Sequence, residues 1–201
     1  MYKRQVFGSD TLAGLPIDVD PVSGEPTNVT LSPVDVPGSL TLNADGTITV
    51  PSGTPSGIYE VVYEICEDGA SPTNCDTATA TVEVDNPIDA VDDDFGTVDS
   101  ATETTTASVF GSDTLAGLPI DVDLVSGEPT NVTLSPVDVP GSLTLNPDGT
   151  ITVPAGTPSG IYEVVYQICE DGASPTNCDT ATATVEVDNC LLYTSPSPRD
   201  A

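Results

Sequence analysis

In the stretch GIYEVVYQIC, apolar and polar side chains alternate: Tyr162, Val164, Tyr166 and Ile168 fall on one side, and Glu163, Gln167 and Cys169 on the other. A period of two marks a β-strand, whose successive side chains point to opposite faces. TATATVEV has the same period, with Ala181, Ala183, Val185 and Val187 set against Thr180, Thr182, Thr184 and Glu186. One apolar and one polar face describe two half-buried antiparallel strands. SLTLNPDGTITV predicts two shorter strands, with Leu143 and Leu145 facing Ile151 and Val153 across Asn146-Pro147-Asp148-Gly149. There Pro fixes φ and Gly permits φ > 0, as a tight turn needs. VTLSPV, around Val132 and Leu134, adds a strand, as do the segments Asp92 to Val98 and Thr104 to Phe110. No helical period interrupts this set of about seven strands, so the expected class is all-β, a Greek-key immunoglobulin-like β-sandwich.

The pattern occurs twice. Residues 6–86 align with 109–189 at an offset of 103 without a gap, and differ only at Pro21/Leu124, Ala44/Pro147, Ser52/Ala155 and Glu64/Gln167. A repeat of about 100 residues is large enough to bury a core of its own, unlike the short units of a solenoid. The expected organisation is therefore tandem sandwiches. DNPIDAVDDDFGTVDSATETTTAS lies between the copies and reads as a linker plus the first strands of the second repeat. On this reading 6–87 is a repeat lacking its first strands, and 88–189 is a complete one. The two ends differ from everything between them. MYKRQ at 1–5 and CLLYTSPSPRDA at 190–201 resemble translated adapter from transposon-based sequencing, and are set apart from the fold as a fusion scar would be.

Charge narrows the function classes. The chain has 3 Lys plus Arg against 32 Asp plus Glu and no His, and its cations are Lys3, Arg4 and Arg199. Asp200 is the one acid in the two end segments, so residues 6–189 hold 31 acids and no basic side chain. Nucleic-acid binding and an anionic membrane surface both need Lys or Arg, and are not expected. Ser-His, Cys-His and Lys-activated nucleophiles are excluded, which leaves only carboxylate pairs for acid–base work; the chain is read as a non-enzyme. No run of eighteen apolar residues predicts membrane insertion. A hydrophobic content of 37% in regular alternation separates the chain from a disordered acidic segment.

Cations are the natural partners of such a surface. Asp85 and Asn86 end the first repeat, Asp89 lies in the linker, and Asp92 and Asp94 open the second repeat with Asp93 facing away between them. Asp113, Asp121 and Asp123 follow in one loop. Calcium takes six to eight oxygens, and these residues are its candidate ligands. The alternative is a solvated acidic edge that deters sheet-to-sheet pairing. Four cysteines lie in two identical CEDGASPTNC windows between the long strands. Cys66 with Cys75, and Cys169 with Cys178, would each staple a hairpin and imply an oxidising compartment; reduced half-buried thiols are the alternative. Asn28 and Asn131 each begin an Asn-Val-Thr glycosylation pattern, but are read as strand residues because the Val falls on a core face.

The ordered set AVDDDF, VFGSDT, LTLNPDGTITV, GIYEVVYQIC and NCDTATATVEV resembles the tandem cadherin-like and immunoglobulin-like repeats of large bacterial surface proteins, particularly those of Bacteroidota. The resemblance covers nearly all of 88–189 and, in the shorter copy, 6–87. It implies an extracellular or cell-surface stalk or adhesive module, often calcium-dependent, whose partners are neighbouring repeats and extracellular glycan or protein. Where many such repeats carry an acidic loop of the form NDTDxDGD, this chain reads GSDTLAGLPIDVD. The function expected is a non-enzymatic stalk or spacer, with a ligand-binding adhesin module acting through its strand-end loops as the alternative.

Overall fold

The computed structural model describes residues 6–189, and both adapter-like ends lie outside the described residues. The chain divides between Asp85 and Asn86 into two compact units.

Unit 2 contains the strands β8 (Ile88–Asp89), β9 (Asp93–Asp99), β10 (Thr104–Thr105), β11 (Thr114–Leu115), β12 (Leu118–Pro119), β13 (Val132–Asp138), β14 (Thr144–Leu145), β15 (Ile151–Val153), β16 (Gly160–Glu170) and β17 (Cys178–Asp188). They form sheets of order β13-β16-β17-β9, β10-β15-β14 and β12-β11-β8. In unit 1, β1 (Thr11–Leu12), β2 (Leu15–Pro16), β3 (Val29–Asp35), β4 (Thr41–Leu42), β5 (Ile48–Thr49), β6 (Gly57–Glu67) and β7 (Cys75–Val84) form the sheets β1-β2, β3-β6-β7 and β4-β5. The protein is all-β, as its alternation predicts.

The two long strands pair antiparallel, with Val164 opposite Ala183 and Tyr166 opposite Ala181. Their apolar faces meet Ile151 and Val153 of β15 in one core that also holds Val109, Phe110, Ile120, Val132 and Leu143. Burying these aliphatic side chains contributes about 1.5–3 kcal/mol each. The hairpin Asn146-Pro147-Asp148-Gly149 forms where the sequence places it. Leu145 pairs with Ile151, and Asp148 Oδ1 accepts both the backbone N–H and the hydroxyl of Thr150. Gly149 has φ +77°, and a Cβ there would stand 2.5 Å from Ser108 Oγ and 3.0 Å from the Phe110 ring.

Three features depart from the alternation pattern. The segment from Thr104 to Phe110 is not one strand: only Thr104–Thr105 pairs with β15, and Val109–Gly111 is a short 3-10 turn. Ser108 Oγ accepts the Phe110 N–H and the Gly149 carbonyl accepts the Val109 N–H, so the backbone turns inward and buries both rather than extending. Second, the two-residue strands β8, β11 and β12 are too short to show a period. Third, β9 runs parallel to β17, with Ala183 opposite Asp93 and Val187 opposite Val98.

Both disulfides form: Cys66–Cys75 and Cys169–Cys178 each join directly paired residues, with Cα atoms 4.1 Å apart. Val29 and Val132 are buried, and Asn131 Oδ1 accepts the Asp121 N–H, which gives this Asn a structural use.

Candidate functional site

The densest cluster of titratable groups lies in unit 2, where β8 and β9 cross the end of the long hairpin. Its centre is Asp113, only 1% exposed. The chain places it there because Val109–Gly111 turns back toward the core and β11 begins at Thr114. Asp113 Oδ1 accepts the Val91 N–H at 2.8 Å. The Tyr166 hydroxyl lies 3.2 and 3.1 Å from the two Asp113 oxygens, 3.3 Å from Asp93 Oδ2 and 3.3 Å from the Val91 carbonyl oxygen. A tyrosine has one hydroxyl proton, so it cannot donate to all of these acceptors at once.

A proton on Asp113 relieves that shortage. Burial pushes its carboxyl up to about 6, with the charges of Asp93 and Asp89 adding to the rise and the bonds from Val91 and Tyr166 opposing it. Asp93 is also raised, chiefly by burial, although Ser112 and Tyr166 donate to it. Tyr166 is pushed well above the usual phenol range by burial and then by the neighbouring Asp113 and Asp93.

The other sequence-selected acids go to separate tasks. Asp92 Oδ1 accepts the Thr182 N–H and so ties the entry of β9 to β17. Asp94 Oδ1 accepts the Gly96 N–H. Asp89 pairs with Thr114 in the small sheet. Asn86 donates to Glu170 Oε1, and its carbonyl oxygen accepts from Asn177 Nδ2. Asp85 belongs to unit 1. Asp121 receives backbone bonds at both its N–H and its C=O, from the Asn131 side chain and from Thr130. Asp123 Oδ1 accepts the N–H groups of Val125 and Ser126, which hold its carboxyl below the usual range.

These placements do not assemble a calcium shell. Among the described residues, the one group of three acidic or sulfur side chains with ligand atoms within 4.8 Å of one another is Glu64, Cys66 and Cys75, whose sulfurs are joined to each other. Asp93 turns inward to Ser112 Oγ and Tyr166, away from Asp92 and Asp94. Asp92, Asp94 and Asp99 instead line the β9 edge of the four-stranded sheet. Charges along an edge strand discourage pairing with another sheet.

Sequence reasoning did not select Tyr166, Asp93 or Asp179 for this cluster. Tyr166 sits on an apolar strand face and reads as core, and its hydroxyl meets the acids only through contacts 53 and 73 positions away. Asp179, which accepts the Ala90 N–H at 3.0 Å, gives no local signal either.

A second feature is a projecting loop. Asp123 and its counterpart Asp20 each cap a tight turn, and the bridge between Val122 and Pro129 closes its base. At its tip Leu124 and Val125 are 98% and 96% exposed.

Among the described residues no helix is long and apolar enough to cross a membrane. No family model matches the chain. No curated protein matches it by sequence. Among solved structures it is similar to human protocadherin-24 repeats EC1-2, at 14% identity and TM-score 0.37, over 85% of this chain and 84% of that one. It is similar to chicken VE-cadherin EC1-2, at 16% identity and TM-score 0.37, over 81% and 84%. An endo-fucoidan hydrolase of glycoside hydrolase family 107 matches at 14% identity and TM-score 0.37; the chain covers 24% of that protein, with 81% of its own length aligned. A SusE-like surface-located polysaccharide-binding protein from the Bacteroides thetaiotaomicron heparin utilisation locus matches at 12% identity and TM-score 0.34, over 80% of this chain and 36% of that one.

Proposed function

We propose that this chain is a non-enzymatic, extracellular repeat module of a bacterial surface or secreted protein, whose work is reach and spacing. The observation that carries the reading is how the acids are used. They cap turns, tie strands together and line a sheet edge, and none of the sequence-selected carboxylates is grouped with two others around a common point. A spacer needs a durable fold repeated many times, and two copies differing at four positions fit that requirement. The hairpin disulfides suit an oxidising location outside the cytoplasm. The reading requires no bound metal.

The test is small-angle scattering on chains of two, four and six copies of residues 88–189. A maximum dimension that grows linearly with copy number, with no polysaccharide or protein retained by an array of extracellular ligands, supports the spacer. Dimensions that level off refute it.

One observation favours the second reading, an adhesin module. Leu124 and Val125 present adjacent apolar side chains on a loop whose backbone Asp123 fixes in advance, and rigid apolar tips suit protein contact. If a protein ligand is captured, the pair Leu124→Ser and Val125→Ser abolishes capture without altering the melting transition. Capture insensitive to that pair excludes this loop.

A further inference from the structure

The two units are an internal experiment, because one sequence is folded with and without the segment 86–105. In unit 2 that segment supplies β8, β9 and β10. Among the described residues of unit 1 nothing corresponds to it, and β7 is the edge of its sheet, paired with β6 alone. The apolar positions it covers in unit 2 are buried: Ile168, Ala181, Ala183, Val185 and Val187. Their identical counterparts Ile65, Ala78, Ala80, Val82 and Val84 are only half-buried.

Two hollows mark the difference. A groove of about 540 Å³ runs beside β7, bordered by Val6, Ser9, Ile48, Tyr63, Ala80 and Val82. A smaller one of about 200 Å³ is lined by Leu12, Ile17, Ile65, Glu67, Asn74 and Asp76, among others. In unit 2 the counterparts of these residues hold the segment by specific bonds. Ser112 donates to Asp93, and Tyr166 to Asp93 and the Val91 carbonyl. Thr182 N–H donates to Asp92, and Asp179 accepts the Ala90 N–H. Glu170 and Asn177 bracket Asn86 from both sides. None of the four positions that differ between the repeats is among these residues.

We infer that the open side of unit 1 is a strand acceptor, and that its ligand is an extended segment with the sequence of residues 86–105 supplied in trans by another copy of the repeat. The segment enters parallel to β7, with Asp93 opposite Ala80 and Val98 opposite Val84, the register that β9 takes on β17. Phe95 and Val98, which pack on the core in unit 2, fill the groove beside Val82. Main-chain pairing gives such an insertion its affinity and the buried side chains its register. This inference is independent of the spacer reading, since an acceptor edge exists whether or not the array acts as a stalk.

The test uses the full chain and a synthetic, fluorescently labelled peptide of residues 86–105. Anisotropy is expected to show saturable one-to-one binding. Hydrogen exchange read by mass spectrometry is expected to show new protection in 77–85, with 180–188 unchanged. A peptide carrying Phe95→Asp and Val98→Asp is expected to bind at least tenfold more weakly. Absence of saturable binding, equal binding of the substituted peptide, or protection changes confined to 180–188 would each overturn the inference.

Discussion

Replacing Asp113 by Asn tests whether one buried carboxyl sets the pH response of unit 2. In the folded state this carboxyl sits at about 6, against an ordinary 3.8, mainly because burial disfavours its charge. Between those two values the folded state binds more protons than the unfolded chain. Stability that depends on Asp113 is therefore complete below about pH 4, falls as pH rises toward 6, and is level above about pH 7. At about 1.4 kcal/mol per pH unit, the interval between 3.8 and about 6 amounts to about 3 kcal/mol. For a domain of this size each kcal/mol moves the melting temperature by roughly 4–8 °C, so the change exceeds about 10 °C. Asn keeps the shape, accepts the Val91 N–H through Oδ1, and offers the neighbouring oxygens the hydrogen that a protonated Asp113 would. Thermal unfolding of the full chain, followed by circular dichroism from pH 4 to 7.5, should show the unit 2 transition falling with pH in the parent and markedly less in Asp113→Asn. At pH 7 the variant should be the more stable of the two. The repulsion among surface acids is common to both proteins and cancels in the comparison. Identical slopes in parent and variant would refute the reasoning, and a less stable variant at pH 7 would show that Asp113 is held ionised.

The disulfide variant Cys169→Ala with Cys178→Ala should lower only the unit 2 transition, by about 2.5–3 kcal/mol for a loop of this length, which also identifies that transition in the pH series; an unmoved transition would contradict it. Gly149→Ala should destabilise by about 2–4 kcal/mol, because strain at positive φ adds to collision with Ser108 and Phe110, whereas Gly156→Ala, with similar φ but open space, should lose only about 1 kcal/mol. Equal losses would show that packing at the turn is irrelevant. Calcium and magnesium at matched ionic strength should raise the melting temperature alike over EDTA, since the acids do not converge on one point. A rise specific to calcium would reveal a shell that these placements do not form. In isolation, residues 88–189 should melt cooperatively while 6–85 should unfold at lower temperature or without a sharp transition; matching transitions would show that the covering strands contribute little.

The alternation in GIYEVVYQIC and TATATVEV was enough to assign the long hairpin, its buried face and its class, because a period of two is a local property of the backbone. The NPDG turn was equally legible, since Gly149 and Asp148 act within a few residues of themselves. Cysteines nine positions apart at the base of such a hairpin could be paired for the same reason. What the tertiary structure alone decided is where distant segments meet. The parallel union of β9 with β17 joins positions some 90 apart, and no local pattern encodes it. The same union carries Val91 onto Asp113 and closes the pocket around Tyr166, turning an acid that reads as a surface ligand into a buried, proton-retaining group. Sequence fixes which side chains alternate, but the environment of a carboxyl depends on what covers it, and in this protein two nearly identical sequences differ in that one respect.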